Sequence, residues 1–389
     1  MITQNDIERI KALPEDKMVL MAVINVDPTD VDNQADALPL RVRKLLENAG
    51  TPPTVIQQVL DDVAEARRDF GKSAVYVIGE GIYERFGVQL RLPERAHYGR
   101  PLPSIITNAA QTLPTVGILM IDREWARLFK LEQGEIRELQ REENVREEGS
   151  DWRQLTEQRH PAYRMGGAGG DFQSGAPNAA GAADTDFFDR REDAAQKRFF
   201  NHVVAELGQR MKQEGLRHLI LMGPDERVAK FRLEIPETAP YTIIGQTNVG
   251  SGTYRADENA MLEKVMPIVE QAREQEEIEL LSQLQERGIV VMENVLEAIQ
   301  QNQIYRLAIP EDGAQVHIYR SHNREVPYFT AKKDLTESPL DGSLMERVTL
   351  EECLSAFTEL YGVEIVRLHG DHARRLIKDF GGLAGLPRF

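Results

Sequence analysis

The sequence contains a single cysteine, Cys353. An internal disulfide is therefore excluded, and so is a cysteine-ligated zinc ribbon. No apolar run approaches the roughly 20 residues that a membrane-spanning helix needs. The start, Met1 to Lys11, reads as a polar amphipathic helix and not as a secretion signal. Positive charge is also scarce: 47 Lys and Arg stand against 63 Asp and Glu, a formal net charge of -16. Such a balance argues against a protein that coats nucleic acid non-specifically, because that binding needs clustered cations. A local basic patch remains compatible with it. These shortages describe a soluble protein of a reducing cytoplasm.

Catalytic signatures are equally sparse. No phosphate-binding loop or dinucleotide fingerprint stands between a strand and a helix, and there is no Gly-x-Ser-x-Gly elbow. His369 and His372 lie three apart with Asp371 between them, a spacing that can share a helix face. No third ligand accompanies them, so a polar helix start with Asp371 as N-cap is the better reading. His160 reads as a surface residue. Glu142-Glu143 and Glu147-Glu148 sit in a charged, solvated run. No catalytic residue, metal site or cofactor is assigned.

What the chain does have is a glycine-rich stretch, Arg164-Met-Gly-Gly-Ala-Gly-Gly-Asp-Phe-Gln173, followed by a run of small residues to Ala183. Such a run offers little apolar area against a large ordering entropy, so a long loop over 164–185 is expected. A helix is expected to open around Phe187, with Phe199, Val203, Val204, Leu207 and Met211 on one face. From Arg159 to Arg217 nine cations face eight anions, a net of +1, whereas Glu132 to Asp151 carries three against eight, a net of -5. The loop and its helix are thus relatively basic, and Arg190, Arg191, Lys197 and Arg198 are candidate contacts to RNA phosphate.

At 389 residues the chain should form two or three domains. Buried strands are expected at Met18–Val26, Ala74–Ile78, Val116–Asp122 and Leu219–Met222, and helices at Leu38–Ala49 and Pro53–Arg68. Asn108–Thr115 reads as a connector and Arg141–Asp151 as a solvated run. Asp257–Arg287 reads as one long helix or two in succession. After it come a helix Val295–Gln301, a strand Ile304–Ile309, an inserted hairpin from Val316–Tyr319 and Pro327–Phe329, a helix Leu350–Tyr361 and a strand Val363–Leu368. The grammar is α/β (α+β), with three domains at 1–112, 113–275 and 276–389.

Several strings in order resemble a known family. Val116-Gly-Ile-Leu-Met-Ile-Asp-Arg-Glu-Trp-Ala-Arg-Leu-Phe-Lys-Leu-Glu-Gln-Gly-Glu-Ile136 is similar to the opening strands of the second domain of archaeal and eukaryotic release factor 1 and of Pelota. Leu221-Met-Gly-Pro224 and Lys230-Phe231 continue that pattern. Val363 to Gly385 resembles the end of the third domain in bacterial relatives, a fold like that of kink-turn-binding ribosomal proteins. In release factors the loop carries Gly-Gly-Gln and enters the peptidyl-transferase centre, where the Gln places a water against the peptidyl-tRNA ester. Here Gly169-Gly170 is followed by Asp171-Phe172-Gln173, so two residues separate the glycines from the glutamine. A carboxylate there opposes the oxyanion that hydrolysis must stabilise. The loop looks more like that of the ribosome hibernation factor Balon and its relatives, which lack Gly-Gly-Gln. The resemblance implies a factor in the ribosomal A site, with Arg164, Gly166, Gly167, Gly169, Gly170, Asp171, Phe172 and Gln173 near the peptidyl-transferase centre. It further implies ribosomal RNA and a P-site tRNA as neighbours, elongation factor Tu as a carrier, and peptidyl-tRNA hydrolysis as the rival activity.

Overall fold

The computed structural model describes the chain except for residues 15, 35–36, 67–70, 123, 145–178, 249–256, 312, 314–315, 324 and 389; for 66 and 179–192 it describes the backbone alone. The chain packs into two compact units. One joins Met1–Pro114 to Glu270–Phe389, and the other is Thr115–Val269.

The N-terminal lobe opens with α1 (Gln4–Lys11), capped by a reciprocal box in which Thr3 and Asp6 satisfy each other's backbone N–H. Strand β1 (Val19–Asn25) is buried at every position. Helices α2 (Ala37–Asn48) and α3 (Pro53–Ala66) pack Leu38, Val42, Leu46, Ile56, Val59 and Val63 against Leu20, Ala22 and Ile24 of β1. Strands β2 (Ser73–Gly79), β3 (Ile82–Val88) and β4 (Arg95–Gly99) complete an antiparallel sheet in the order β3-β2-β1-β4. Helix α4 (Pro103–Gln111) begins where the Leu102 N–H donates to Met21 Sδ, 3.2 Å away. Met21 alternates with Leu20 and Ala22, so α4 starts on the sheet face opposite α2 and α3.

The central unit is built on a mixed sheet in the order β7-β6-β5-β8-β9. Strands β5 (Val116–Ile121), β6 (Trp125–Glu132) and β7 (Glu135–Glu143) form an antiparallel meander. Its β6–β7 turn places both Gln133 (φ 51°) and Gly134 (φ 81°) in the left-handed region, as a two-residue hairpin loop requires. Helix α5 (Ala179–Gln213) then leads to β8 (His218–Met222), and α6 (Asp225–Glu234) to β9 (Thr242–Thr247); both strands join in parallel. Parallel neighbours need crossovers of this length, which is why helices sit between them.

Helix α7 (Glu258–Arg287) contains Pro267 and is followed by α8 (Met292–Gln300). The C-terminal lobe carries two three-stranded sheets. In the first, β10 (Ile304–Pro310) lies between β14 (Glu364–Leu368), parallel, and β15 (Ala384–Pro387), antiparallel. In the second, β11 (His317–Ser321) lies between β12 (Phe329–Thr330) and β13 (Met345–Thr349). Helices α9 (Leu354–Tyr361) and α10 (Gly370–Phe380) precede β14 and β15 respectively. Their core joins Leu296, Ile299, Leu307, Ile318, Phe329 and Phe357, the last two in edge contact at 4.9 Å.

Several local expectations are corrected. Asn108–Thr115 is not a plain connector, since α4 runs to Gln111 with Pro103 at its first turn and Ile105, Ile106 and Ala109 buried at helical spacing. The charged run from Arg141 is partly strand: β7 continues to Glu143, with Arg141 bonded to Glu138 and stacked 5.6 Å over Trp125. The expected hairpin of β11 and β12 is a sheet of three strands, because β13 pairs along the whole of β11. The helix expected over Leu350–Tyr361 is a 3-10 turn, Leu350–Cys353, followed by α9.

Candidate functional site

The sequence places its candidate chemistry on the loop 164–185 and on the helix behind it. The helix begins at Ala179, earlier than the expected opening at Phe187. Four of the five residues from Ala179 to Ala183 are alanine, the strongest helix former, and propensity favours a helix there. Arg164, Gly166, Gly167, Gly169, Gly170, Asp171, Phe172 and Gln173 lie outside the described residues, as do His160, Glu147 and Glu148. Arg190 and Arg191 fall on the described backbone of α5, while their side chains lie outside the description.

The far half of α5 is firmly anchored. Phe199, Phe200, Val203, Leu207 and Met211 are buried against Leu119, Leu221 and Phe231. Phe200 meets Phe231 edge-on at 5.2 Å and 84°. This is the apolar face expected from the sequence, with Phe200 added to it. From Phe199 back to Ala179 the helix extends about 30 Å, at about 1.5 Å per residue. The N-terminal end of α5 therefore lies well ahead of the buried face that anchors the helix.

Just ahead of the anchor, Lys197 and Arg198 are exposed. The Lys197 Nζ lies 3.8 Å from Glu234 on α6. Lys230 on α6 lies 3.4 Å from Asp193 and 3.2 Å from Glu226. The hydrogen bond to Glu226, followed by that to Asp193, holds the Lys230 ammonium above its ordinary range. This rim of α5 and α6 is a set of long, loosely held pairs. Exposed pairs of this kind contribute at most about 1 kcal/mol each, so their cations can exchange a carboxylate for a phosphate at small cost.

A shallow cleft lies between α5 and the meander, lined by Leu119, Leu128, Gln140, Glu142, Val203 and Leu207. It encloses about 10 Å³, room for one water at most, and is no substrate pocket. Glu142 approaches His202 Nε2 at 3.4 Å on its rim. His369 also has a structural occupation. Its backbone N–H and its Nδ1 both donate to the buried Glu277, at 3.0 and 2.7 Å, and by its extended backbone just ahead of Gly370 it is His369, not Asp371, that stands at the N-cap of α10. Sequence reasoning missed this carboxylate, as it missed the junction of Asn108, Glu351 and Arg367. The one advance signal was Thr349-x-x-Glu352, a capping box visible in the sequence, which fixes the turn carrying Glu351. Among the described residues no helix is long and apolar enough to cross a membrane.

Residues 106–270 match the model of the bacterial archaeo-eukaryotic release factor family 10. Over that segment, less than half of the chain, the sequence is similar to that family. The chain is also similar to an archaeal translation termination factor at 14% identity, covering 100% of this chain and 99% of that one with a TM-score of 0.24. Archaeoglobus fulgidus Pelota is 18% identical over 81% of this chain and 79% of its own, with a TM-score of 0.33. Archaeal Pelota in a model of ribosome-bound Pelota and ABCE1 is 13% identical over 100% and 94%, with a TM-score of 0.44. No curated protein matches the chain. The assignment of the central segment therefore rests on the family match.

Proposed function

We propose that this protein is a ribosome-binding translation factor. In this reading it occupies the A site, brings the glycine-rich loop near the peptidyl-transferase centre, and protects idle ribosomes without chemistry. One observation carries the proposal. The segment that matches a release factor family keeps the paired glycines Gly169-Gly170 but follows them with Asp171-Phe172 before Gln173. Two inserted residues move the glutamine by roughly 6–7 Å in extended chain, at about 3.3–3.6 Å per residue. A displacement of about 1 Å can already cost on the order of a hundredfold in rate. Asp171 adds a charge of the wrong sign for an oxyanion. What such a loop retains is occupancy: glycines for close approach, Phe172 for stacking on a base, Gln173 for a hydrogen bond.

Arg190, Arg191, Lys197 and Arg198 would meet ribosomal RNA phosphate behind the loop, with a P-site tRNA as neighbour. Elongation factor Tu is the carrier this reading implies, and the cytoplasm its compartment. A domain division at 112 and 275 belongs to the same reading, with the third domain like kink-turn-binding ribosomal proteins. The rival is a peptidyl-tRNA hydrolase, favoured by the presence of Gln173 itself. Ribosomes carrying labelled peptidyl-tRNA, mixed with the protein, separate the two. Protection predicts co-sedimentation with ribosomes, density in the A site by cryo-electron microscopy and no release above background. Release abolished by Gln173→Ala would replace protection with hydrolysis, and failure to bind ribosomes would overturn both.

A further inference from the structure

Met1–Pro114 and Glu270–Phe389 form one compact unit although the whole central unit lies between them in sequence. Arg95 on β4 carries one polar part of that union, and helix α4 another. Its first turn is held to β1 through the Leu102–Met21 contact, and Ile105, Ile106 and Ala109 are buried. Asn108 presents its amide to the C-terminal lobe. Its Nδ2 donates to Glu351 Oε1 at 2.9 Å, and its Oδ1 accepts from Arg367 Nε at 2.5 Å.

Glu351 and Arg367 are themselves a two-pronged pair, with Nη2 to Oε1 at 2.7 Å and Nη1 to Oε2 at 3.2 Å. Their side chains are only 3% and 12% exposed. Gly313 leaves room for the carboxylate, since a Cβ there would stand 2.4 Å from Glu351 Oε2. A second strand of the junction runs through a backbone carbonyl. Glu311 O accepts from Arg367 Nη1 at 3.2 Å and also from Arg95 Nη2 on β4.

A buried ion pair adds little net stability, but it penalises any arrangement that leaves one of its members unmatched. The amide is the side chain that fits between such partners, because it offers a donor to the carboxylate and an acceptor to the guanidinium at once. We propose that the N-terminal and C-terminal lobes are locked as one body through Asn108, so that whatever binds one lobe fixes the position of the other. The two lobes then move as one body. The inference stands whether or not the protein meets a ribosome.

The test uses the full chain and amide hydrogen exchange. Asn108→Asp keeps the shape but sets a carboxylate against Glu351. Exchange at the junction, in α4 and β4, should accelerate by roughly tenfold to a hundredfold, the range for hydrogen bonds to charged groups. Strands β5 and β6 should exchange as before. Asn108→Asp combined with Glu351→Gln removes the carboxylate repulsion while keeping one carboxylate beside Arg367, at the loss of one prong from Arg367, and should recover part of the lost protection. If Asn108→Asp does not fold, Asn108→Ala carries the same test without added charge. Unchanged exchange at α4 and β4, or a double variant no slower than the single, would reduce the junction to a passive contact and overturn the lock.

Discussion

Glu351 and Arg367 expose 3% and 12% of their side chains, whereas Lys197 and Asp193 on the α5–α6 rim expose 66% and 67%. Both regions hold opposite charges close together, but water separates their roles. At the junction every prong of the pair has a protein partner, and Asn108 and Glu311 O fill the positions that solvent would take. On the rim the contacts run from 3.2 to 3.8 Å, and Lys197, Asp193, Lys230 and Glu226 remain exposed to water. Dehydrated charge cannot change partner without a large penalty, and so it fixes geometry. Hydrated charge changes partner at almost no cost, and so it is available for binding.

The comparison breaks most visibly at Glu351. Glu351→Ala should destabilise the unit by about 3–5 kcal/mol, because the guanidinium of Arg367 is left buried and unmatched. Urea unfolding followed by circular dichroism measures this. Replacing Glu351, Arg367 and Asn108 together with Leu, Met and Leu should cost far less, within about 1 kcal/mol of wild type or on the stable side. A triple variant as unstable as the single would show that the charges contribute more than an apolar junction can.

Gly313→Ala sharpens the same side. The added Cβ would meet Glu351 Oε2 at 2.4 Å. A carboxylate end can often swing away, but this one is tied to Arg367 and Asn108, so the clash must move three groups. A loss of about 1–3 kcal/mol is expected, the usual range for overpacking. A loss below the precision of unfolding measurements would mean that the turn at Gly313 yields instead.

His97 tests how dry the surroundings of the junction are. Burial pushes its imidazole below the ordinary range, against the Arg100 carbonyl that accepts from its Nε2 at 3.0 Å and against the field of Glu352. The folded state therefore favours neutral His97. Its contribution is complete above the unfolded pKa of about 6.5 and is lost as pH falls through that value toward the lowered folded one. The slope from one group cannot exceed about 1.4 kcal/mol per pH unit. His97→Gln should flatten the stability profile just below neutral pH. An unchanged slope would place His97 in water.

The two regions also differ in how far the sequence disclosed them. The rim was legible: Arg198, Lys197 and the apolar stripe Phe199, Val203, Leu207, Met211 are neighbours along one helix, and helical spacing alone predicts their faces. The strand cores β1, β5 and β8 were legible for the same local reason. The junction was not. Asn108 and Glu351 stand 243 positions apart and meet only through tertiary packing, which no period in the sequence encodes. Its helix α4 is hard to see in the sequence because Ser104, Thr107 and Asn108 dilute a short apolar pattern. The stretch from Ala179 misleads in the other direction: its small residues offer little apolar area, yet alanine is the strongest helix former.

The smallest expected effect on stability is on the rim, and it is the one that separates holding from binding. Lys197→Ala removes a contact of 3.8 Å to Glu234 from a side chain that is 66% exposed. Stability should change by less than about 1 kcal/mol, since an exposed pair returns to water nearly what it gives up. The same substitution should act on ribosome binding if Lys197 faces phosphate there. Each lost phosphate contact flattens the dependence of log affinity on log salt by roughly 0.7–0.9. The measurement is ribosome binding over a salt series, with wild type and variant in parallel and unfolding curves for both. Asn108→Ala serves as the opposite control: stability falls, while the salt slope of whatever still binds should hold. A Lys197→Ala protein with normal stability and a flatter slope assigns the rim to binding. An unchanged slope would return Lys197 to Glu234 and leave the rim as an ordinary solvated surface.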